Sequence, residues 1–342
     1  MIKPIDTPRL TLRQFEKSDF AAVHSYASCE ENVTYMIWGP NSEKETRDFI
    51  NLAITEANEK PCFNYIYAAD QKATGALIGS CNITVSGSQG EIGWILHRDY
   101  WQQGYGTEMG NALLQFGFTE LGLHRIIAHC FADNHASYRL MEKIGMRREG
   151  EFIEGRRAHR QTKRLYSDEL SYAVLSDEWE MRREINEYNA LPLSFDGFIE
   201  LPLLDDGVIS LVCTAKEPGE ERTMLVPTYS FDIYRKGRRV GDLNLRVGYN
   251  ERMYYTGQIG YNVDKKHRGN GYAGRACMLA ARIAKAHGME KLLINNDQDN
   301  LASMRVCEKL GARLVRVARL PQWHGLFKDG LRFVNIYEWD VP

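Results

Sequence analysis

Two glycine-containing turns carry the residues of this sequence that are best suited to hold a ligand. The first is Gly104-Tyr105-Gly106, and the second runs from Arg268 to Ala273 as Arg-Gly-Asn-Gly-Tyr-Ala. A strand-like run precedes each turn and a helix-like run follows it, so several backbone N–H groups and the positive end of a helix dipole point to one place. Because small residues let an anion approach the backbone, both turns are predicted anion-binding sites. The alternative is an ordinary strand-to-helix turn that needs glycine for its dihedral angles.

The second turn also has the spacing Gly269-x-Gly271-x-x-Gly274, which is that of a dinucleotide-binding fingerprint. That fingerprint directly follows the first strand of a strand–helix–strand unit. Here several strand-like runs come first, and five polar residues (Asp264 to Arg268) separate the last of them from Gly269. We therefore reject a dinucleotide site.

Four short motifs occur twice in the same order, 166 or 167 positions apart. The pairs are Glu91-Ile92-Gly93-Trp94 with Gln258-Ile259-Gly260-Tyr261, Gly104-Tyr105-Gly106 with Gly271-Tyr272-Ala273, Asn134-x-x-Ser137 with Asn300-x-x-Ser303, and Glu142-Lys143-Ile144-Gly145 with Glu308-Lys309-Leu310-Gly311. A constant offset over motifs with domain-like spacing predicts a tandem duplication.

The elements that must position these motifs follow from hydrophobic periodicity, caps and turn residues. In the first half, strands are predicted at 10–13, 63–69, 76–85, 91–96 and 125–130, with a closing pair that ends near Val174. Helices are predicted from near Ser18, which would be the cap, after Ser42 with Glu45 completing a capping box, at 104–120 and at 136–144. In the second half, strands are predicted at 208–214, 230–234, 240–247, 257–263 and 292–295, and helices at 271–287 and 301–310.

The second half lacks room for the first pair of helices. Its segment Lys216 to Pro227 is short and rich in Pro, Gly and Glu, so we predict a loop there. A charged helix is predicted at Asp177 to Tyr188, ahead of Pro192. The predicted organisation is a domain at 1–176, a helical linker at 177–194 and a domain at 195–342 that lacks the first helix pair.

These motifs resemble those of the GNAT superfamily of acetyltransferases. The resemblance occurs once in each half and together covers nearly the whole chain. The first half resembles the branch that acetylates ribosomal-protein amino termini and small amines, and the second half is similar to a less studied branch. The motifs that carry this are Thr7-Pro8-Arg9-Leu10-x-Leu12-Arg13, Tyr100-Trp101-x-x-Gly104-Tyr105-Gly106-Thr107-Glu108, Arg268-Gly269-Asn270-Gly271-Tyr272-Ala273 and the two Asn-x-x-Ser motifs. The resemblance implies an α+β protein with two tandem acyl-CoA N-acyltransferase folds, each a mixed, mostly antiparallel twisted sheet flanked by helices.

The resemblance also implies that acetyl-CoA (coenzyme A) binds to both halves. The residues expected to hold it are Ile95, Leu96, Gln102, Gln103, Gly104, Tyr105, Gly106, Thr107 and Asn134 in the first half, and Asn262, Val263, Arg268, Gly269, Asn270, Gly271, Tyr272, Ala273 and Asn300 in the second. The glycine turns take the pyrophosphate, the strand residues meet the acetyl carbonyl, and the asparagines hold the pantetheine arm. In the first half, Trp101 stands where the family pattern has Arg or Gln.

The expected reaction is direct transfer of an acetyl group to a primary amine in a ternary complex. Glu91 is the predicted base, acting through water; the alternative is an exposed strand carboxylate. The second half has Gln258 at that position, and an amide is not a base at neutral pH. That half therefore needs another base, or it is a non-catalytic acyl-CoA-binding or structural module.

The tyrosine that serves as general acid in many family members is absent from both halves, which have Met141 and Cys307 at its position. Ser137 and Ser303 remain as candidates to relay a proton to the sulfur, although each is equally a helix-start residue beside its asparagine. Cys307 has no paired histidine and apolar helical surroundings, so we do not assign it as a nucleophile.

Several function classes are excluded by composition. The net charge is −2, which does not favour nucleic acid as a partner, and the basic runs at 156–164 and 265–268 are short enough to be solvated surface. The seven scattered cysteines fit neither a disulfide framework nor a metal site and predict a reducing compartment. With no apolar membrane or signal segment, we predict a cytoplasmic protein without a membrane partner. The sequence leaves a monomer and a homodimer open. His24, His97, His129, His159 and His324 form no motif and are predicted to be surface or core residues.

The acceptor is left open by the sequence. A small-molecule amine, an antibiotic in a self-resistance enzyme, and a protein amino terminus or lysine all fit the predicted chemistry.

Overall fold

The computed structural model describes residues 2–157, 165–201 and 203–342. It divides into two compact units, Met1–Glu180 (unit 1) and Met181–Pro342 (unit 2). His159 and most of the basic run at 156–164 lie outside the described residues, and the predicted boundaries at 176 and 194 stay a prediction. Within the described part of the chain, no helix combines the length and apolarity that a membrane crossing requires.

Unit 1 is built from one sheet in which most neighbouring strands run antiparallel, and helices pack on both faces of this sheet. Its strands are β1 (Ile5–Asp6), β2 (Leu10–Arg13), β3 (Asn64–Gln71), β4 (Leu77–Ser86), β5 (Gln89–Leu96), β6 (Arg125–Phe131), β7 (Arg147–Arg157) and β8 (Tyr166–Leu175). Its helices are α1 (Phe20–Ala27), α2 (Glu43–Glu56), α3 (Tyr105–Gln115) and α4 (His135–Lys143), and α5 (Ser176–Asn189) begins in this unit.

These strands form one sheet in the order β1-β2-β3-β4-β5-β6-β8-β7. Strands β5 and β6 run parallel, and among the described residues they pair only over Gln89–Glu91 and 125–127. Side chains alternate between the two faces of the sheet. Ile92 and Ile126 face a core that includes α3, whereas Ile95 faces a second core that includes α1 and α2.

Local signals explain most helix ends in unit 1. Ser42 and Glu45 form the predicted capping box of α2. The prediction for α1 was wrong in detail: Glu16 and Asp19 form a capping box around a 3-10 turn, so Ser18 is not the cap. The helix predicted at 104–120 is α-helical to Gln115 and continues as a π turn at Phe116–Glu120.

Unit 2 repeats the later elements. Its strands are β9 (Ser210–Glu217), β10 (Thr228–Arg235), β11 (Arg238–Arg246), β12 (Ile259–Val263), β13 (Lys291–Asn296), β14 (Arg313–Arg319) and β15 (Phe333–Asp340), and its helices are α6 (Glu251–Thr256), α7 (Tyr272–Ala286), α8 (Leu301–Leu310) and α9 (Gly325–Lys328). The predicted α+β class, with antiparallel-dominated sheets and flanking helices, is confirmed.

The strands of unit 2 form two sheets, ordered β12-β11-β10-β9 and β13-β15-β14. Between β9 and β10 the described residues form a 3-10 turn at Glu221–Thr223 and no α-helix. One face of β13 and β15 packs against α7. Inside unit 2 the other face is covered by α6, through Tyr254 and Tyr255, and by the later residues of α5, through Tyr188. Helix α6 was not predicted, although its cap Asn250, which accepts from the Met253 N–H, is a typical helix start.

Candidate active site

A cavity of about 280 Å³ opens in unit 1 where β5 and β6 separate. The strands are paired up to Glu91, and the residues beyond that point, Ile92–Ile95 on β5 and His129–Phe131 on β6, line the cavity. The opening therefore results from the short parallel pairing.

This cavity passes through the sheet. Cys130 and Met141 reach it from the core on the α3 side, and Ile66 and Phe49 reach it from the core on the α1 and α2 side. The cavity is therefore lined by residues from both faces of the sheet.

Glu91 lies at the mouth of this cavity, on the α1 and α2 side. Its side chain is exposed, and the alternation along β5 places it on the same face as Ile95. Asn64 and Asn82 line the same wall; the Asn64 amide donates to Glu56 Oε2 at 2.6 Å and accepts from Thr84 Oγ1 at 2.9 Å. Glu91 thus has a polar setting with access to water, as a base that acts through water needs.

His129, which the sequence predicts to be a surface or core residue, lines the cavity. It lies on β6 in the same cavity as Glu91. Its buried Nδ1 has no hydrogen-bond partner among the described residues and lies 3.9 Å from Glu169 Oε1. Glu169 in turn is paired with Arg156 at 2.7 Å, and Arg156 also lines the cavity. No sequence signal joins these residues, since they come from three strands.

Ser137 and Asn134 lie where α4 begins, and both line the cavity. The Asn134 side chain caps the helix by accepting from the Ser137 N–H at 3.1 Å. Burial raises the pKa of the Cys130 thiol to about 11, and a hydrogen bond with Ser137 opposes that rise. Met141, at the position of the missing tyrosine, is buried in the core, whereas Ser137 at the start of α4 offers a hydroxyl that lines the cavity.

The first glycine turn is held by the amino-terminal segment. Gly104 is the N-cap of α3 with φ 84°, and Gln102 has φ 58°. Arg9 donates from Nη1 to the carbonyl of Gln103 at 2.9 Å and from Nε to Glu108 Oε2 at 2.7 Å. The turn also contains Tyr105 and Gly106, which are buried, and Thr107, which is half-buried. The Thr7-Pro8-Arg9 motif therefore fixes the shape of the predicted pyrophosphate site.

The second glycine turn has the same backbone shape. Gly271 is the N-cap of α7 with φ 76°, and Gly269 has φ 83° at the position equivalent to Gln102. The Asn270 side chain donates to the carbonyl of His267 at 3.0 Å, and Tyr272 and Ala273 are buried at the start of α7. Glycine removes here the strain that Gln102 bears in the first turn.

In each unit, one of the two strand residues predicted to meet the acetyl carbonyl points its backbone N–H toward the neighbouring strand, and the other points it away. His97 N donates to Ile78 O across β5 and β4, and the alternation of an antiparallel pair then directs the Ile95 N–H toward β4 and the Leu96 N–H away from it. In unit 2, Asp264 N donates to Val240 O, so Asn262 points its N–H toward β11 and Val263 points its own away. The neighbouring strand therefore does not accept from the N–H of Leu96 in unit 1 or of Val263 in unit 2, and these two donors are available to a ligand.

Gln258 has a structural position in unit 2. It is fully buried, and its side chain accepts from Leu293 N at 2.7 Å and donates to Gly248 O at 3.0 Å and to the Tyr188 hydroxyl. Its backbone N–H also donates to Leu293 O at 2.8 Å. Gln258 thus connects β13 to the start of β12. In unit 1, the pairing of β5 with β6 makes the corresponding connection.

The other predicted residues of unit 2 are engaged with one another. Asn300 caps α8 by accepting from the Ser303 N–H at 3.1 Å, and the Ser303 hydroxyl lies 2.9 Å from the hydroxyl of Tyr261. Cys307 is buried, and burial raises the pKa of its thiol to about 12. This thiol is therefore protonated at neutral pH and is not a nucleophile.

In unit 2, a cation lies near the strand that corresponds to the Glu91-bearing strand of unit 1. The Arg246 guanidinium lies over Gly260, whose counterpart is Gly93, and its Nη1 donates to Gly257 O at 3.3 Å. Burial lowers the pKa of Arg246, and no carboxylate among the described residues forms an ion pair with it.

Comparison with known proteins places the chain in a family. The model of the acetyltransferase (GNAT) domain matches residues 9–147 and 211–313. The uncharacterized N-acetyltransferase YnaD of Bacillus subtilis is 36% identical over 180 residues, which are 51% of this chain and 98% of the relative. The spermidine N(1)-acetyltransferase of Vibrio cholerae is 26% identical over 49% of this chain and 98% of its own length. A crystal structure of a GNAT-family acetyltransferase from Bacillus anthracis is 36% identical and covers 51% of this chain and 99% of its own, with a TM-score of 0.45.

The chain belongs to the GNAT acetyltransferase family, as its motifs predict. The family model matches it in two regions, one in each unit.

Proposed function

We propose that unit 1 transfers an acetyl group from acetyl-CoA to a primary amine in a ternary complex. The observation that carries this proposal is the cavity that passes through the sheet between β5 and β6. It lets an acyl donor from the α3 side and an amine from the α1 and α2 side meet beside Glu91. The relation to N-acetyltransferases, including one named for spermidine, supports an amine as the acceptor class.

In the proposed reaction, Glu91 takes a proton from the ammonium group through water, which leaves a neutral amine. The amine nitrogen bonds to the carbonyl carbon, and the Leu96 N–H stabilises the oxyanion that forms. When the carbon–sulfur bond breaks, the thiolate leaves, and the proton that the nitrogen loses as it becomes an amide is relayed by the Ser137 hydroxyl to the sulfur. The turn from Gln102 to Thr107 holds the pyrophosphate through its N–H groups and the start of α3.

For unit 2 we infer a different role, that of a non-catalytic acyl-CoA-binding or structural module. Gln258 replaces the base and uses its amide to connect β13 to the rest of the unit. The nearby Arg246 cation disfavours an ammonium acceptor, because like charges repel strongly where water is scarce. The turn from Arg268 to Ala273 supports retained binding of acetyl-CoA.

The whole chain tests both proposals. It should release free coenzyme A thiol from acetyl-CoA with at least one member of a panel of small amines, amine-bearing antibiotics and peptides with free amino termini. A chain that binds acetyl-CoA but acetylates none of them would contradict the proposal for unit 1. With the best acceptor, Glu91→Gln should remove nearly all turnover; half of the turnover remaining would contradict the assignment of Glu91 as the only base.

A further inference from the structure

The mouth of the unit 1 cavity carries large apolar side chains that are exposed to solvent. Tyr35, Ile37 and Trp38 line the cavity and are 36%, 69% and 37% exposed. A cluster of exposed apolar side chains at the rim of a cavity usually marks a surface that a ligand covers. Phe49 and Phe131 continue this apolar surface into the cavity.

The segment that bears this rim is anchored to the end of β5. Asn32 is buried; its side-chain amide donates to Leu96 O at 2.5 Å and accepts from Arg98 N at 3.0 Å. Val33 is buried beneath Gly39, and Met36 N donates to Val33 O at 2.9 Å. The rim is therefore positioned against the strand that carries Glu91.

The charges of the cavity fit one ammonium group. Among the described residues that line it, Glu91 is the only carboxylate. The single guanidinium, that of Arg156, is already paired with Glu169 at 2.7 Å. A second or third ammonium group of a polyamine would lose water here without gaining a carboxylate, which is costly.

We propose that the acceptor is a monoamine with an aromatic or similarly flat apolar body. The amine lies beside Glu91, and the body packs against Ile37 and Trp38 in place of water. This inference rests on the proposed function of unit 1 and narrows its acceptor class.

The first test compares acceptors on the whole chain. We expect kcat/KM for 2-phenylethylamine to exceed that for spermidine and for n-propylamine by about 10-fold or more, since the buried ring adds binding energy that neither competitor supplies. Spermidine or n-propylamine as the better acceptor would overturn the inference and leave the proposed function in place. Acetylation of none of the amines, proteins or peptides tried would instead refute the proposed function.

The second test uses Trp38→Ala, with Leu52→Ala as a matched control because Leu52 is 51% exposed and lies outside the cavity lining. Trp38→Ala should raise KM for 2-phenylethylamine by about 10-fold while leaving KM for acetyl-CoA and kcat/KM for n-propylamine within about twofold. Leu52→Ala should change none of these. An equal loss for both amines in Trp38→Ala would overturn the inference, because it would show a general structural effect.

Discussion

The indole Nε1 of Trp101 donates a hydrogen bond to the carbonyl oxygen of Leu96 at 2.9 Å. In unit 2, Arg268 Nε donates to the carbonyl of Val263 at the same distance. Both donors stand five positions after their acceptors, at the first position of the glycine turn. Trp101 therefore replaces the expected Arg or Gln by supplying the same N–H to the end of the same strand.

This relationship predicts which substitutions the first turn tolerates. Trp101→Arg should keep KM for acetyl-CoA within about twofold, because the donor is restored. Trp101→Phe keeps the ring but loses the N–H, and one hydrogen bond corresponds to roughly a fivefold rise in KM for acetyl-CoA. Steady-state kinetics on the two variants check this, and equal effects of Arg and Phe would argue against the hydrogen bond as the cause.

Glu91→Gln removes the proposed base without changing the size of the side chain. We expect kcat to fall by about 100-fold or more, since general bases contribute on that order. KM for acetyl-CoA should stay within about twofold, because Glu91 lies away from the glycine turn. Glu59→Gln, an exposed carboxylate outside the cavity, serves as the control. An unchanged kcat with a good acceptor would remove Glu91 from the mechanism.

Glu108 predicts an acid-sensitive anchor for the first turn. Burial would raise the pKa of this carboxyl, but hydrogen bonds from Thr7 and Arg9 outweigh burial and hold the pKa below its ordinary value of 4.5. Because the folded-state pKa is the lower one, the stabilisation is complete above about pH 4.5 and is lost as the pH falls through the folded-state pKa.

The test of this anchor is thermal unfolding of the wild type and of Glu108→Gln between pH 7 and pH 3. The wild type should have the higher Tm at pH 7, and the difference should shrink below about pH 4.5 as the carboxyl is protonated. A Tm difference that stays constant over this range would show that the charge of Glu108 is not what holds Arg9.

The repeated motifs allowed the turns, the helices after them and the pairing of the two halves to be predicted, because each depends on residues close together in sequence. The residues that line the cavity wall were harder to predict. His129 and Arg156 come from separate strands, and only the strand order beside β5 brings them to Glu91. No local pattern reports such a meeting. The two sheets of unit 2 were also not foreseen, since a buried side-chain amide that replaces strand pairing leaves no periodic signal.

Gln258→Glu is the substitution that would restore the base by sequence alone, and we predict that it destabilises unit 2 instead. The glutamate loses the N–H donor to Gly248 O and to Tyr188, and it places a carboxylate at a fully buried position. Losing the hydrogen bonds that the Gln258 amide donates inside the core costs about 2 kcal/mol or more in the free energy of unfolding. Urea unfolding of Gln258→Glu beside the exposed Gln298→Glu, which should change stability by less than about 0.5 kcal/mol, measures this cost. A stable Gln258→Glu protein whose added activity survives Glu91→Gln would mean instead that unit 2 has a working acceptor site and lacks only its base.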